Sequence, residues 1–173
     1  MPNFINETTP FPIVQGVTNA IKNSTILQYY RTESSSNGIQ ITVNSTTHST
    51  LPENVFNILQ SELGYIIFKN GNTAVFKKQA NYVHNIIINM YSTYPKVGIS
   101  AVDLINKQGV SLKQNAVVTK NITPNNAEVL LLSIVQNHSI GDEVQLRFGG
   151  GSVPSGGDLE LNILAINWII LEQ

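Results

Sequence analysis

His48, His84 and His138 are the only side chains of this 173-residue chain whose ordinary pKa falls near neutrality. With no cysteine present, these and eleven carboxylates carry whatever acid–base or metal chemistry the chain offers. The histidines stand in three separate segments, none with another histidine at ligand spacing, so hydrogen-bonded or solvated rings are expected and no metal is. His84, between Val83 and Asn85, reads as a satisfied interface position. A Ser-His-Asp nucleophile needs a strained turn around its serine, and Gly-x-Ser-x-Gly is absent. Residues 149–157 hold five glycines in nine positions, but neither Gly-Lys-Ser/Thr nor a following helix is there to hold a phosphate, so they read as a loop. Glycoside hydrolysis needs two carboxylates flanking a cleft about 5–10 Å apart. Glu33, Glu53, Asp103, Asp142 and Asp158 instead fall at expected turns or strand ends, where solvation explains them. The chain is therefore read as non-enzymatic, without catalytic residues, cofactor or metal. Sugar recognition is harder to dismiss, because Tyr30, Tyr91, Tyr94 and Trp168 could stack on a ring among abundant asparagines, although Trp168 also suits a core.

Composition narrows the partners. Charged residues make up 12% of the chain, against about 25% in an ordinary soluble domain, and the net charge is −1. Water must be held instead by 21 Asn and 27 Ser plus Thr. Such a surface offers no basic field for nucleic acid or anionic lipid, and it suits contact with sugars or with further copies of the chain. No apolar run approaches the roughly 18 residues needed to span a bilayer, and the first 19 residues lack a basic stretch followed by an apolar one, so neither membrane insertion nor a secretory signal is expected.

The elements that would position these side chains read as strands. β-Branched and aromatic runs with a period of two, bounded by Gly, Asn, Pro or Ser, recur at residues 24–31, 39–43, 64–68, 73–76, 81–91, 98–105, 110–119, 128–135, 143–148 and 159–171. Asn70-Gly71 supplies the positive φ angles of a tight hairpin, and Gly109 suits the left-handed position of another. One helical turn is expected near residues 52–63, where Val55, Phe56, Leu59 and Leu63 fall near helical spacing after Pro52. About ten strands without βα alternation predict one all-β sandwich or jelly roll over residues 24–173.

Two strands are apolar on both faces. In residues 159–171, strict alternation puts Leu161, Ile163, Ala165, Ile169 and Leu171 on one face and Leu164, Ile166, Trp168 and Ile170 on the other. In residues 81–91, Tyr82, Ile86, Ile88 and Met90 oppose Val83, Ile87 and Tyr91, the latter interleaved with Asn85 and Asn89. Two apolar faces call for two partners, a core and a sister subunit. The expected trimer interface is Tyr82, Ile86, Ile88, Ile163, Ile166, Trp168 and Ile170. Residues 1–23 differ from the rest: Pro2, Pro10 and Pro12 interrupt pairing, while Phe4, Ile5, Phe11, Ile13 and Val14 are too apolar for a solvated tail, which predicts an anchoring arm held by a neighbour.

Several motifs occur in the order found in a known family. Lys77-Lys78-Gln79-Ala80-Asn81-Tyr82 leads a long strand; Lys107-Gln108-Gly109 makes a hairpin; Ile140-Gly141-Asp142-Glu143-Val144-Gln145-Leu146 opens a strand after a polar turn; and a final apolar strand follows. In these features residues 24–171 resemble the tumour necrosis factor and complement C1q-like jelly rolls, with Gly-Asp-x-Val the most specific part. The family's Gly-x-Tyr-x-Phe reads Ala80-Asn81-Tyr82-Val83-His84, keeping the tyrosine alone. The resemblance implies a ten-strand sandwich and a homotrimer. Joined to the composition and the arm, it leads to a structural or attachment protein of a virus or phage particle: a head-fibre, tail-fibre tip or capsid-surface component located in the virion. Such a protein would bind other virion proteins through its arm and a host glycan or protein receptor through its loops. The alternative is a secreted or surface-displayed, lectin-like or C1q-like binding module, located extracellularly.

Overall fold

The computed structural model describes residues 24–30, 38–44, 48–61, 65–92, 98–106, 108, 110, 118–122, 125–150 and 158–173. The expected arm (residues 1–23), Gly109 of the second expected hairpin and most of the glycine-rich loop (residues 151–157) lie outside them. Among the described residues there are twelve strands and no helix. They are β1 (Ser24–Tyr30), β2 (Ile39–Val43), β3 (His48–Thr50), β4 (Asn57–Ser61), β5 (Ile66–Lys69), β6 (Thr73–Phe76), β7 (Ala80–Ser92), β8 (Gly98–Asn106), β9 (Val118–Ile122), β10 (Glu128–His138), β11 (Glu143–Gly150) and β12 (Leu159–Glu172). They form two antiparallel sheets: β10-β7-β12-β1-β4, with β2 also on β12, and β5-β6-β11-β8-β9, with β3 on β11. The expected all-β jelly roll is thus the observed architecture.

Turn chemistry acts where its residues stand. Asn70 and Gly71 take φ of 54° and 65°, closing the β5–β6 hairpin. Gly141 takes φ of 89° between β10 and β11, and the Asp142 carboxylate accepts the Ser139 N–H at 2.9 Å. The Gly-Asp motif is therefore a turn that binds itself shut before β11, whose Val144, Leu146 and Phe148 then point into the core.

Three expectations are corrected. Residues 52–61, the described part of that segment, form no helix: Asn54 turns the chain at a φ of 58°, its N–H is held by the Asn70 carbonyl at 2.7 Å, and β4 then pairs with β1. A strand partner outcompetes weak helical spacing. Gly149 and Gly150 are not loop but the end of β11, paired with β8. The third correction concerns β12. Its register against β7 shifts between Ile163 and Ala165, so Leu164 is an extra residue and the inward phase changes there. Leu159, Leu161 and Ile163 point inward before the bulge; Ile166, Trp168 and Ile170 do so after it. Much of the apparent two-facedness of this segment is one face read through a change of phase.

The residues expected at the trimer interface consequently lie elsewhere. Tyr82, Ile86, Ile88, Ile163, Ile166, Trp168 and Ile170 all belong to the hydrophobic core between the sheets of a single chain, each no more than 1% exposed. A side chain sealed inside its own subunit has no surface left for a sister.

Gly38 (φ 71°) packs on the bulge, and a Cβ built there would sit 2.1 Å from the Ile163 carbonyl oxygen. Gly38→Ala should cost about 2–4 kcal/mol, combining left-handed strain with overpacking against backbone. Thermal denaturation of the variant checks this, and an unchanged melting temperature would refute the tight approach.

Candidate functional site

Outward-facing residues of the first sheet form a mixed apolar and amide surface. β10 presents Val129, Leu131 and Val135, and β7 presents Ile87, each between 44% and 63% exposed. Register places Leu131 opposite Ile87, Ile87 opposite Asn167, and Val135 opposite Val83, which in turn opposes Leu171. Some polar residues of this face pair within it: Asn137 Nδ2 donates to Asn81 Oδ1 at 3.0 Å, and Ser133 Oγ to Asn85 Oδ1 at 2.7 Å. Two do not, since Asn89 Oδ1 and Asn167 Oδ1 are shielded from water yet accept no hydrogen bond. An acceptor left so is costly, about 1–3 kcal/mol, unless a neighbouring surface supplies a donor.

Behind this face two of the three histidines meet. β7 and β10 turn His84 and His138 inward, and their Nε2 atoms lie 2.9 Å apart. The indole Nε1–H of Trp168 donates to His84 Nδ1 at 3.2 Å. A neutral His84 must then carry its proton on Nε2 and donate it to His138 Nε2, which leaves the His138 proton on Nδ1. One indole thus sets two tautomers. Phe76 stacks on the His138 ring with centroids 3.9 Å apart, and Tyr82 tilts beside it. Burial, aided by the neighbouring His138, pushes the His84 pKa down to about 3. Burial likewise lowers His138 to about 4, partly offset by Asp142, whose Oδ2 lies 3.7 Å from His138 Nδ1. A metal ion between the two Nε2 atoms would require both to be unprotonated, which the indole donor to His84 opposes. Among the described residues no three His, Cys, Asp or Glu side chains converge as a ligand set.

His84 is therefore a core residue, not an interface one. Its pairing with a residue 54 positions away left no trace in spacing, and the one usable signal was that both rings occupy the inward phase of long strands. His48 is exposed on β3. Of the aromatic residues considered for stacking, Trp168 is fully buried, Tyr91 is half-buried, Tyr30 lies on β1, and Tyr94 is outside the described residues.

His138 also lines a cleft of about 310 Å³ beside the β10–β11 turn, with Asn106, Gln108, Ile140, Asp142 and Glu143 around it. Asn106 Oδ1 accepts the backbone N–H groups of Gln108 and Val110, both at 3.0 Å, so what this side chain has to donate is its amide nitrogen. Glu143 faces Lys69 at 3.4 Å across the rim.

No family model and no curated protein matches this chain. Solved structures do: Eiger TNF from S. frugiperda superposes on 86% of this chain and 92% of its own, with a TM-score of 0.53 at 8% identity. Murine APRIL, solved at pH 5.0, covers 80% of this chain and 96% of its own, with a TM-score of 0.49 at 8% identity. At such identity the likeness to the insect protein is one of fold, and the fold of this chain is a tumour-necrosis-factor-like jelly roll.

Proposed function

We propose that this jelly roll is a non-enzymatic binding module that works as a homotrimer outside the cell, secreted or displayed on a surface. The observation that carries the reading is the outer face of the first sheet, where exposed Ile87, Val129, Leu131 and Val135 surround two shielded amide oxygens without donors. A second copy supplies both apolar cover and hydrogen-bond donors; the number three comes from the resemblance to trimeric jelly rolls. The absence of catalysis is argued from the titratable pair, in which His84 is fully buried and the indole sets the tautomers of both rings. Among the described residues no helix is long and apolar enough to cross a membrane. Native mass spectrometry at micromolar concentration should give three chains. A monomer ends the reading, and a dimer redirects it to another surface.

Residues 1–23, with Phe4, Ile5, Phe11, Ile13 and Val14, are proposed as an anchoring arm joined to a jelly-roll domain at residues 24–173. A place in a virus or phage particle rests on that arm and on composition; the fold adds no weight to it, so the secreted or displayed module is preferred. Deleting residues 1–23 should leave the oligomer folded and abolish attachment to any larger assembly, read by circular dichroism and co-sedimentation. Loss of folding would put the segment in the core instead.

A further inference from the structure

We infer that the cleft beside the β10–β11 turn binds a neutral, hydroxyl-bearing ligand of the size of one saccharide ring, held between His138 Nδ1–H and the Asp142 carboxylate. This deepens the binding-module reading and rests on it. The argument starts inside the core. Because Trp168 donates to His84 and His84 to His138, the hydrogen-bond chain ends in a donor, the Nδ1–H of His138. That side chain is 1% exposed and lines the cleft, yet its nearest carboxylate oxygen, Asp142 Oδ2, stands 3.7 Å away, beyond hydrogen-bond reach, and is already engaged by the Ser139 N–H at 2.9 Å. A donor that opens onto the cleft with only a long approach to Asp142 is completed by an acceptor placed in the cleft, from a ligand or from water.

The chemistry of the lining decides which ligand. Asp142 and Glu143 repel an anion, although an anion would satisfy His138. A cation would satisfy the carboxylates and leave the His138 N–H facing positive charge with no acceptor. A hydroxyl does both, accepting from His138 and donating to Asp142, and the amide of Asn106 on the same lining offers an adjacent hydroxyl a donor. Ile140, 70% exposed at the rim, offers an apolar side to the C–H face of a ring. The cavity, about 310 Å³, lies at the lower end of the roughly 300–1,000 Å³ typical of small-molecule sites, which suits one ring more than an extended chain.

The test is an NMR titration of the full-length native protein with methyl glycosides of galactose, glucose, mannose and N-acetylglucosamine, with methylammonium and calcium chloride as separate arms. At least one glycoside should give saturable shifts at residues 138–144 and at the His138 ring Nδ1, with a Kd on the order of 1 mM, the range a ligand of this size reaches. Asp142→Ala should weaken binding at least tenfold. Ile140→Ser, which touches only the exposed rim and leaves folding intact, should weaken it severalfold. Should Asp142→Ala fail to fold, the wild-type Nδ1 resonance and the Ile140 variant still decide the matter. Shifts from methylammonium or calcium alone overturn the inference in favour of a cationic ligand, and no glycoside response at residues 138–144 overturns it outright. Native mass measured on the same sample separates the two ideas: a trimer that ignores every glycoside refutes the cleft alone, and a monomer that binds one refutes the trimer alone.

Discussion

Acidification from about pH 7 to about pH 4.5 should destabilise this fold by several kcal/mol, and the histidine pair is the reason. Geometry alone makes either imidazolium unwelcome. A proton on His84 Nδ1 would face the Trp168 N–H across 3.2 Å, and one on His138 Nε2 would face the His84 N–H across 2.9 Å. Burial adds to this, holding the folded-state values near 3 for His84 and 4 for His138. In the unfolded chain both rings take up protons near the usual value of about 6.5, so below it the unfolded state binds more protons than the native one, and stability falls with pH. The contribution is complete above about 6.5 and lost progressively down to about 4 for His138 and about 3 for His84, at about 1.4 kcal/mol per proton per pH unit. Against a total of about 5–15 kcal/mol, that is a substantial fraction of the domain's stability. Melting temperatures from pH 7.5 to pH 4.5 would expose the slope. His138→Phe keeps an aromatic ring against Phe76 but removes one titrating site. It should cost about 1–3 kcal/mol at neutral pH, for the donor it orphans on His84, and roughly halve the acid slope. A flat wild-type profile would mean that the rings do not occupy the buried positions described.

Aspartate at two positions separated by a single strand, β7, in the sheet order should have opposite consequences. Ile166 is fully buried between the sheets, so Ile166→Asp places an unpaired carboxylate in the core and removes a well-packed side chain. The combined cost, well above 5 kcal/mol, is on the order of the domain's whole stability, and no folded protein should be recovered. Leu131 is 63% exposed on β10, and Leu131→Asp should leave the monomer fold within about 1 kcal/mol of wild type. If a second copy covers that face, however, the charge is desolvated on assembly, and association should weaken by a hundredfold or more, about 3 kcal/mol. Circular dichroism and native mass spectrometry read the two effects apart. A folded Ile166→Asp protein of reduced mass would return the interface to the residues first expected there; an intact Leu131→Asp trimer would move it off this face.

What could be read in the residues was local. Period-two alternation in β7, β10 and β11 is visible because a half-buried strand must alternate, and its phase puts Tyr82, Leu130 and Val144 inward without any partner being known. The Asn70-Gly71 and Gly141-Asp142 turns are equally legible, since positive φ is cheap for few residue types. The jelly-roll class follows from many such strands, and the missing cysteine and the near-neutral net charge remove thiol chemistry and a basic field for nucleic acid. Three things required the tertiary structure. Residues 57–61 are a strand because β1 offers them an edge, a competition no local spacing records. Leu164 is a bulge because β7 pairs on both sides of it, and that single extra residue changes which side chains of β12 meet the core. The histidine pair and the cleft it opens into exist only once β7, β10 and β12 lie side by side, because a hydrogen bond between residues 54 apart, set by an indole a further 30 along the chain, is a property of register and lean that periodicity does not encode.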